Sequence, residues 1–111
     1  MSDCLFCRIA AGEIPAERVY EDDQVVAFKD IHPKATVHLL VVPRRHLASL
    51  EDLTAEHDGL AGHMLRTMAQ LAREQGLGGG FRTIINTGRG AGQEIFHLHM
   101  HLLGGSDLPG F

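Results

Sequence analysis

The feature that most constrains the fold is a two-residue alternation near the carboxyl end of the 111-residue chain. Three histidines, His97, His99 and His101, alternate with leucine and methionine, and apolar residues continue the pattern on both sides. Successive side chains of a β-strand point to opposite faces, so the pattern predicts a strand over Glu94–Leu103 with all three imidazoles on one face. The other face is expected to pack on the core through Phe96, Leu98, Met100 and Leu102.

A row of three imidazoles indicates a functional site, because burying such groups without partners is costly. An ordinary solvated strand face favours Thr, Lys, Glu and Tyr instead, so chance is a poor explanation. Two kinds of chemistry fit the pattern. Neutral imidazole is a common metal ligand, and near pH 7 it also suits nucleophilic and acid–base work on a phosphate. The histidine run alone leaves both open.

Length and composition predict one compact domain over residues 1–111, with 44% hydrophobic residues. The formal net charge of −4 argues against a general nucleic-acid partner or an anionic membrane surface. No apolar stretch approaches the length of a transmembrane helix. The first residues carry neither a basic region nor an apolar signal segment, so a cytoplasmic location is expected.

The remaining pattern predicts an α+β fold in which consecutive strands pair antiparallel and one long helix covers a face of the sheet. Methionines on the apolar stripe of that helix are expected to fill the core. Thr54 is its expected N-cap. The predicted helices are Cys4–Ala11 and about Ala55–Gln75, and the predicted strands before the histidine strand are Glu17–Tyr20, Gln24–Phe28, Val37–Val42 and Phe81–Asn86.

A glycine-rich loop over Thr87–Gly92 leads into the histidine strand. Glycines let backbone N–H groups approach an anion closely, and Asn86 and Gln93 add side-chain hydrogen bonds at its two ends. The loop lacks the Gly-Lys-Ser/Thr ending of a Walker motif. Such a loop is often only a turn, but beside three histidines it predicts a phosphate cradle.

Cys4 and Cys7, the only cysteines, form a C-x-x-C pair. In a reducing compartment this spacing indicates a metal site or a redox pair rather than a structural disulfide. A thioredoxin-like motif would follow a strand, and no strand precedes Cys4. The pair supplies half of a zinc site, and the cysteines could equally be buried apolar residues.

The segment His97-Leu98-His99-Met100-His101-Leu102 followed by Leu103-Gly104-Gly105 resembles the signature of the histidine triad (HIT) superfamily. Similarity to its Hint branch, the nucleoside phosphoramidases, extends over nearly the whole chain. The resemblance implies a five-stranded antiparallel sheet with one long and one short helix, and a homodimer in which the sheet continues across the interface. The further matching segments are Gly12–Ala16, Tyr20–Asp22, Ala27–Ile31, Pro33–Ala35, His38–Pro43 and His46.

The same resemblance implies that His99 attacks the α-phosphorus of a purine nucleoside 5′-phosphoramidate to give a nucleotidyl-histidine intermediate. His101 would contact phosphate oxygens together with Asn86 and Gln93, and His38 would take part in proton transfer. Asp30 would accept hydrogen bonds from the ribose hydroxyls. The implied purine pocket consists of Leu5, Phe6, Ile9, Phe28 and Ile31.

Some members of the superfamily hold a structural zinc ion through two N-terminal cysteines, a mid-chain histidine and the first triad histidine. In this chain the resemblance implies the set Cys4, Cys7, His46 and His97, although His46 could also be a plain surface residue. Four such ligands form a common closed zinc site. No organic cofactor is expected.

Two other functions stay open at this stage. One is hydrolysis of dinucleoside polyphosphates, as in the Fhit branch, and the other is a non-catalytic AMP-binding module. One departure bears on mechanism, because Glu94 stands where several Hint enzymes carry a serine that assists the leaving group. The residues leave the choice between adenine and guanine undecided.

Overall fold

The computed structural model describes residues 3–110 and shows five strands, two α-helices and three single-turn 3₁₀ helices. The prediction of an α+β fold with one short and one long helix is confirmed. The main elements are α1 (Leu5–Ala10), β1 (Arg18–Glu21), β2 (Val25–Lys29), β3 (Val37–Pro43), α2 (Asp58–Glu74), β4 (Phe81–Ile84) and β5 (Met100–Gly104). The 3₁₀ helices are Leu50–Asp52, Ala55–His57 and Arg89–Ala91.

The strands form one antiparallel sheet in the order β1-β2-β3-β5-β4. β5 therefore lies between β3 and β4, and His101 has Leu40 as its partner on one side and Ile84 on the other. The loop that follows β4 consequently lies on one side of the histidine segment. The residues of β2 and β3 lie on the other side.

Both faces of β2 and β3 are buried, which explains their continuous apolar sequences. Alternate residues pack in two separate clusters. One face packs with α2 and contains Val25, Ala27, Leu39 and Val41. The other face packs with α1 and contains Val26, Phe28, Leu40 and Val42, together with Phe6, Ile9 and Ala10 of the helix.

The long helix begins later than predicted. A 3₁₀ turn follows Thr54, and α2 itself spans Asp58–Glu74. Met64 and Met68 are buried in the core as expected, whereas Leu65 is 54% exposed. The short helix and the early strands lie within two residues of their predicted limits.

The predicted strand over Glu94–Leu103 is wrong in its first half, because β5 begins only at Met100. Met100 is the partner of Val41 in the ladder with β3. Two residues further on, β3 ends at Pro43, which has no N–H to donate. The N–H of Leu98 instead bonds to the carbonyl of Leu47. His97 and His99 are therefore held by an irregular segment rather than by a strand.

The predicted core position of Phe96 is also wrong. Its ring is 38% exposed and lies 5.3 Å from the guanidinium carbon of Arg89. The chain bends at residues 95–97, so the alternation applies only from His97 onward. Within residues 3–110, no helix is both long enough and apolar enough to cross a membrane.

Candidate functional site

A cavity of about 640 Å³ opens on the α1 side of the sheet and contains most of the predicted site residues. His38, His99 and His101 are among the residues that line it. The residues predicted to form the purine pocket and to bind the ribose also line the cavity, and they belong to α1, β2 and the loop after β2. These residues are Leu5, Phe6, Ile9, Phe28, Ile31 and Asp30.

The hydrogen bonding of His99 fixes which of its ring nitrogens is available for chemistry. Its Nδ1 lies 2.7 Å from the carbonyl oxygen of His97. A carbonyl can only accept, so Nδ1 carries the proton and the lone pair of the neutral ring is on Nε2. The ring is held at right angles to Phe6, with 5.1 Å between centroids. The lone pair of Nε2 is therefore the nucleophilic position of this side chain.

A second hydrogen-bond chain fixes the tautomer of His101. The main-chain N–H of Lys34 donates to Nδ1 of His38 over 3.0 Å. Neutral His38 therefore carries its proton on Nε2, which lies 2.9 Å from Nδ1 of His101. Because that nitrogen accepts, neutral His101 carries its own proton on Nε2. His101 thus offers a donor in the same cavity in which His99 offers a lone pair.

The rings of His38 and His101 are both held in the neutral form. Burial lowers the pKa of His101 to about 4, and the charges of His99 and His38 act in the same direction while Asp30 opposes them. Burial also lowers the pKa of His38, again against the carboxylate of Asp30. At neutral pH the chain from Lys34 to His101 therefore carries hydrogen bonds between uncharged groups.

Asp30 lies beside this chain, with Oδ2 3.4 Å from Nε2 of His38. Its other oxygen accepts the main-chain N–H of His32. The ligand atoms of Asp30, His38 and His101 are close enough to one another for a metal ion. However, Nε2 of His38 carries a proton because Nδ1 is already an acceptor. This tautomer argues against a metal ion at these three residues.

Asn86 and Gln93 have different positions, although both were predicted to bind phosphate. Asn86 lines the cavity. Gln93 is buried, with its Oε1 accepting from Gly88 and its Nε2 donating to the carbonyls of Ala48 and Ile95. Its amide hydrogens are used inside the loop, so the prediction of direct phosphate contact is not supported. Gln93 braces the glycine-rich loop instead.

The second group of predicted ligands forms a compact cluster at the N-terminus of α1. Nδ1 of His97 lies 3.2 Å from Sγ of Cys4, 3.4 Å from Sγ of Cys7 and 3.2 Å from Nδ1 of His46. Sγ of Cys7 lies 3.3 Å from Nδ1 of His46. The edges of a tetrahedron around Zn²⁺ with two sulfur and two nitrogen ligands are about 3.3–3.8 Å. The donor set and its spacing fit zinc.

The tautomer of His97 fits the same interpretation. Its Nε2 lies 2.7 Å from the carbonyl oxygen of Pro43, so that nitrogen carries the proton and the lone pair of Nδ1 is directed toward the sulfurs. Sγ of Cys4 accepts the main-chain N–H of Cys7 over 3.3 Å, which fixes the position of this sulfur at the N-terminus of α1. Burial lowers the pKa of His97, which keeps the ring neutral as a ligand must be.

Three contributors to this region escape sequence reasoning. The carbonyls of Pro43 and His97 and the N–H of Lys34 are main-chain groups, and no residue type marks them in advance. Glu94, the departure noted in the sequence, also lines the cavity, as do Asn86 and Gly92. Gly92 has φ of +87°, a conformation that favours glycine and turns the chain toward the histidines.

Comparison with known proteins identifies the family. Residues 3–110 match the family described as "Scavenger mRNA decapping enzyme C-term binding". The chain is 52% identical to the protein HitA of Neisseria gonorrhoeae over 104 residues, which cover 94% of this chain and 97% of HitA. It is 43% identical to a purine nucleoside phosphoramidase of Escherichia coli K12 over 107 residues, which cover 96% and 90% of the two chains.

Solved structures agree with the sequence matches. A histidine triad protein from Clostridium difficile superposes with a TM-score of 0.96 at 46% identity, covering 100% of this chain and 97% of that one. A HIT family hydrolase from Legionella pneumophila superposes with a TM-score of 0.95 at 44% identity, covering 96% of each chain. On the fold, the histidine arrangement and these relatives, the chain belongs to the histidine triad (HIT) family and is a hydrolase of that family.

Proposed function

We propose that this hydrolase cleaves the P–N bond of purine nucleoside 5′-phosphoramidates and releases the nucleoside monophosphate. The observation that carries the proposal is the tautomer of His99, whose Nδ1–H donates to the His97 carbonyl and leaves the Nε2 lone pair for attack. The similarity to the phosphoramidase of Escherichia coli supports this choice of substrate.

In the first step, Nε2 of His99 attacks the α-phosphorus while the P–N bond breaks. The product is a nucleotidyl-histidine whose ring is positively charged because Nδ1 keeps its proton, and the departing amine takes up one proton from solvent. The N–H of His101 on Nε2 donates to a phosphate oxygen, and Asn86 adds a further polar contact from the β4 side. Neutral imidazole is suited to this role because it is nucleophilic and forms a labile bond to phosphorus.

In the second step, water attacks the phosphorus and His99 leaves with its original tautomer restored. Water gives up one proton, which balances the proton taken up by the amine. His38 keeps the proton of His101 on Nε2 through both steps, because the N–H of Lys34 holds the other end of the chain. The rings of His38 and His101 therefore stay neutral through both steps, and only the ring of His99 changes its charge.

The nucleoside is proposed to bind between α1 and β2. Phe6 and Phe28 meet edge to face with 5.5 Å between ring centroids, and the exposed side chains of Leu5 and Ile31 lie at the rim of the same cavity. Asp30 accepts from the ribose hydroxyls. These contacts bury an aromatic base without reading its edge, so both purines fit the proposal.

Cys4, Cys7, His46 and His97 are proposed to hold a structural zinc ion. A bound ion would link α1 to the segment before β5 and would take no part in the chemistry. Thiolate ligands of this kind persist in a reducing compartment, which supports a cytoplasmic location.

We further propose a homodimer in which the sheet continues through β4. This strand is an edge of the sheet, so one row of its main-chain groups lacks a partner strand within residues 3–110. Phe81 on β4 is 44% exposed. Light scattering after size exclusion tests the proposal, and a monomeric mass at micromolar concentration would contradict it.

The function is tested with a fluorogenic adenosine 5′-phosphoramidate, with and without a zinc chelator. We expect release of AMP and trapping of a labelled nucleotidyl-protein by acid quenching. Absence of turnover with tight AMP binding would favour the non-catalytic module. Faster cleavage of diadenosine tetraphosphate than of the amidate would favour the dinucleoside polyphosphate reaction.

A further inference from the structure

The carboxylate of Glu94 lies in the catalytic cavity but has no role in the mechanism above. It lines the cavity with Asn86, His99 and His101, and the residue is exposed. Within residues 3–110, no hydrogen bond or ion pair of the structure involves its side chain. A negative charge at this place opposes the binding of a phosphate, so its presence calls for a positive partner in the substrate.

The other charged groups of the cavity do not supply that partner. Lys29 is paired with Glu17 over 2.7 Å. Lys34 lies in the loop between β2 and β3, and its main-chain N–H bonds to His38 of β3. Glu94 follows β4, on the opposite side of β5. Of the two carboxylates among the described residues that line the cavity, Asp30 contacts His38 and the N–H of His32, whereas Glu94 has no hydrogen bond or ion pair within residues 3–110.

The main chain holds Glu94 firmly in this position. Its predecessor Gln93 is buried and donates through Nε2 to the carbonyl of Ile95, so a single side chain spans the main chain on both sides of Glu94. Ile95 in turn packs against the apolar cluster under α1. The main chain of Glu94 is therefore fixed by the contacts of its two neighbours.

Its location assigns it to the leaving group. A nucleoside bound between α1 and β2 puts its phosphate at His99 and His101, and the group attached to the phosphate then extends toward β4 and its following loop. Asn86, Gly92 and Glu94 all follow β4 in the chain and line the cavity.

We propose that Glu94 is a specificity-determining residue that selects phosphoramidates of amines with a second, positively charged group, such as diamines and basic amino acids. This inference rests on the proposed phosphoramidase function and deepens it. The carboxylate attracts a distal ammonium and repels a polyphosphate leaving group, so a single residue acts for one substrate class and against another. Discrimination of about three- to tenfold at low salt is the size expected for one partly screened pair.

The test compares three substrates with the full-length protein. They are the adenosine 5′-phosphoramidates of 1,4-diaminobutane and of butylamine, which differ only in the distal ammonium group, and diadenosine tetraphosphate. Values of kcat/KM are measured for the wild type, for Glu94→Gln and for Glu51→Gln, an exposed control with the same change in net charge. Each series is repeated at low and high salt.

We expect the wild type and the control to prefer the diamine conjugate by about three- to tenfold at low salt, with the preference shrinking as salt rises. In Glu94→Gln the two amidates should become equivalent, and cleavage of diadenosine tetraphosphate should increase. A ratio near one in the wild type, or an unchanged ratio in Glu94→Gln, would overturn this inference alone. Failure of the wild type to cleave either amidate would overturn the proposed function and this inference together.

Discussion

His97 and His99 lie two residues apart, yet their side chains belong to different chemical centres. In each ring one nitrogen donates to a main-chain carbonyl, but the nitrogen differs. His97 donates through Nε2 to Pro43 and keeps the lone pair of Nδ1 for the cysteine cluster. His99 donates through Nδ1 to His97 and keeps the lone pair of Nε2 for the cavity.

The comparison shows that main-chain carbonyls, rather than residue type, decide what each imidazole can do. The same side chain is the proposed metal ligand at position 97 and the proposed nucleophile at position 99 because a different main-chain carbonyl sets the tautomer of each ring. Substitutions that change one of the two rings, or a group that contacts it, test this difference.

Replacing His99 with Ala removes the proposed nucleophile and leaves the cysteine cluster intact. We expect turnover of the amidate to fall by about a thousandfold or more, because the covalent route is lost. Affinity for AMP, measured by calorimetry, should change only a few-fold, and metal content should be unchanged. A variant with wild-type turnover would contradict the assignment of His99.

Replacing Cys4 with Ser breaks the other centre. We expect zinc affinity to fall by about a hundredfold or more and the melting temperature in the presence of zinc to fall by about 5 °C or more. Metal analysis after dialysis and thermal unfolding with and without zinc measure the two effects. His63→Gln serves as a control outside the cluster, and unchanged zinc stoichiometry in Cys4→Ser would exclude this residue as a ligand.

Replacing His38 with Ala sharpens the comparison by freeing the tautomer of His101. Without the donor on Nε2 of His38, His101 can move its proton to Nδ1 and lose its donor toward the phosphate. We expect kcat to fall by about 10- to 100-fold with little change in KM. Nitrogen-15 chemical shifts of the His101 ring report the tautomer, and a ring still protonated on Nε2 would contradict this role.

The smallest effect concerns pH. Folding lowers the pKa of His101 from 6.5 to about 4, so between these values the unfolded chain binds the proton more strongly. The free energy of unfolding should therefore fall as pH falls from about 6.5 to 4. In His101→Asn the plot of unfolding free energy against pH should be flatter, by an amount that corresponds to up to about one bound proton. Urea unfolding at constant zinc concentration measures this slope. Equal slopes in the two proteins would contradict the burial of a neutral ring.

Sequence patterns predict the sheet well where packing alone decides the outcome. The apolar runs of β2 and β3 are buried on both faces, and their limits match within one or two residues. The end of β3 at Pro43 also limits β5, but this effect acts through the ladder between two strands 57 residues apart, from Pro43 to Met100. A local pattern cannot contain that information, so the histidine segment looks like one continuous strand.

The candidate site is predictable in its members but less so in their contacts. The apolar pocket residues and the four cluster ligands come together as expected. Gln93 does not, because an amide can satisfy the loop's own main chain as readily as a phosphate. The groups that choose each tautomer belong to the backbone, and only the folded structure brings them into place.

His97 connects the cysteine cluster directly to His99. Its side chain belongs to the cysteine cluster, while its carbonyl aligns the ring of His99, so a single peptide unit is shared by two centres. Any displacement of that unit is transmitted to the ring of His99, the proposed nucleophile, without an intervening side chain. A relative without the two cysteines would have to hold the same carbonyl in place by packing alone. Residues that pack around this carbonyl should therefore not be interchangeable between a protein with the cysteine cluster and a protein without it.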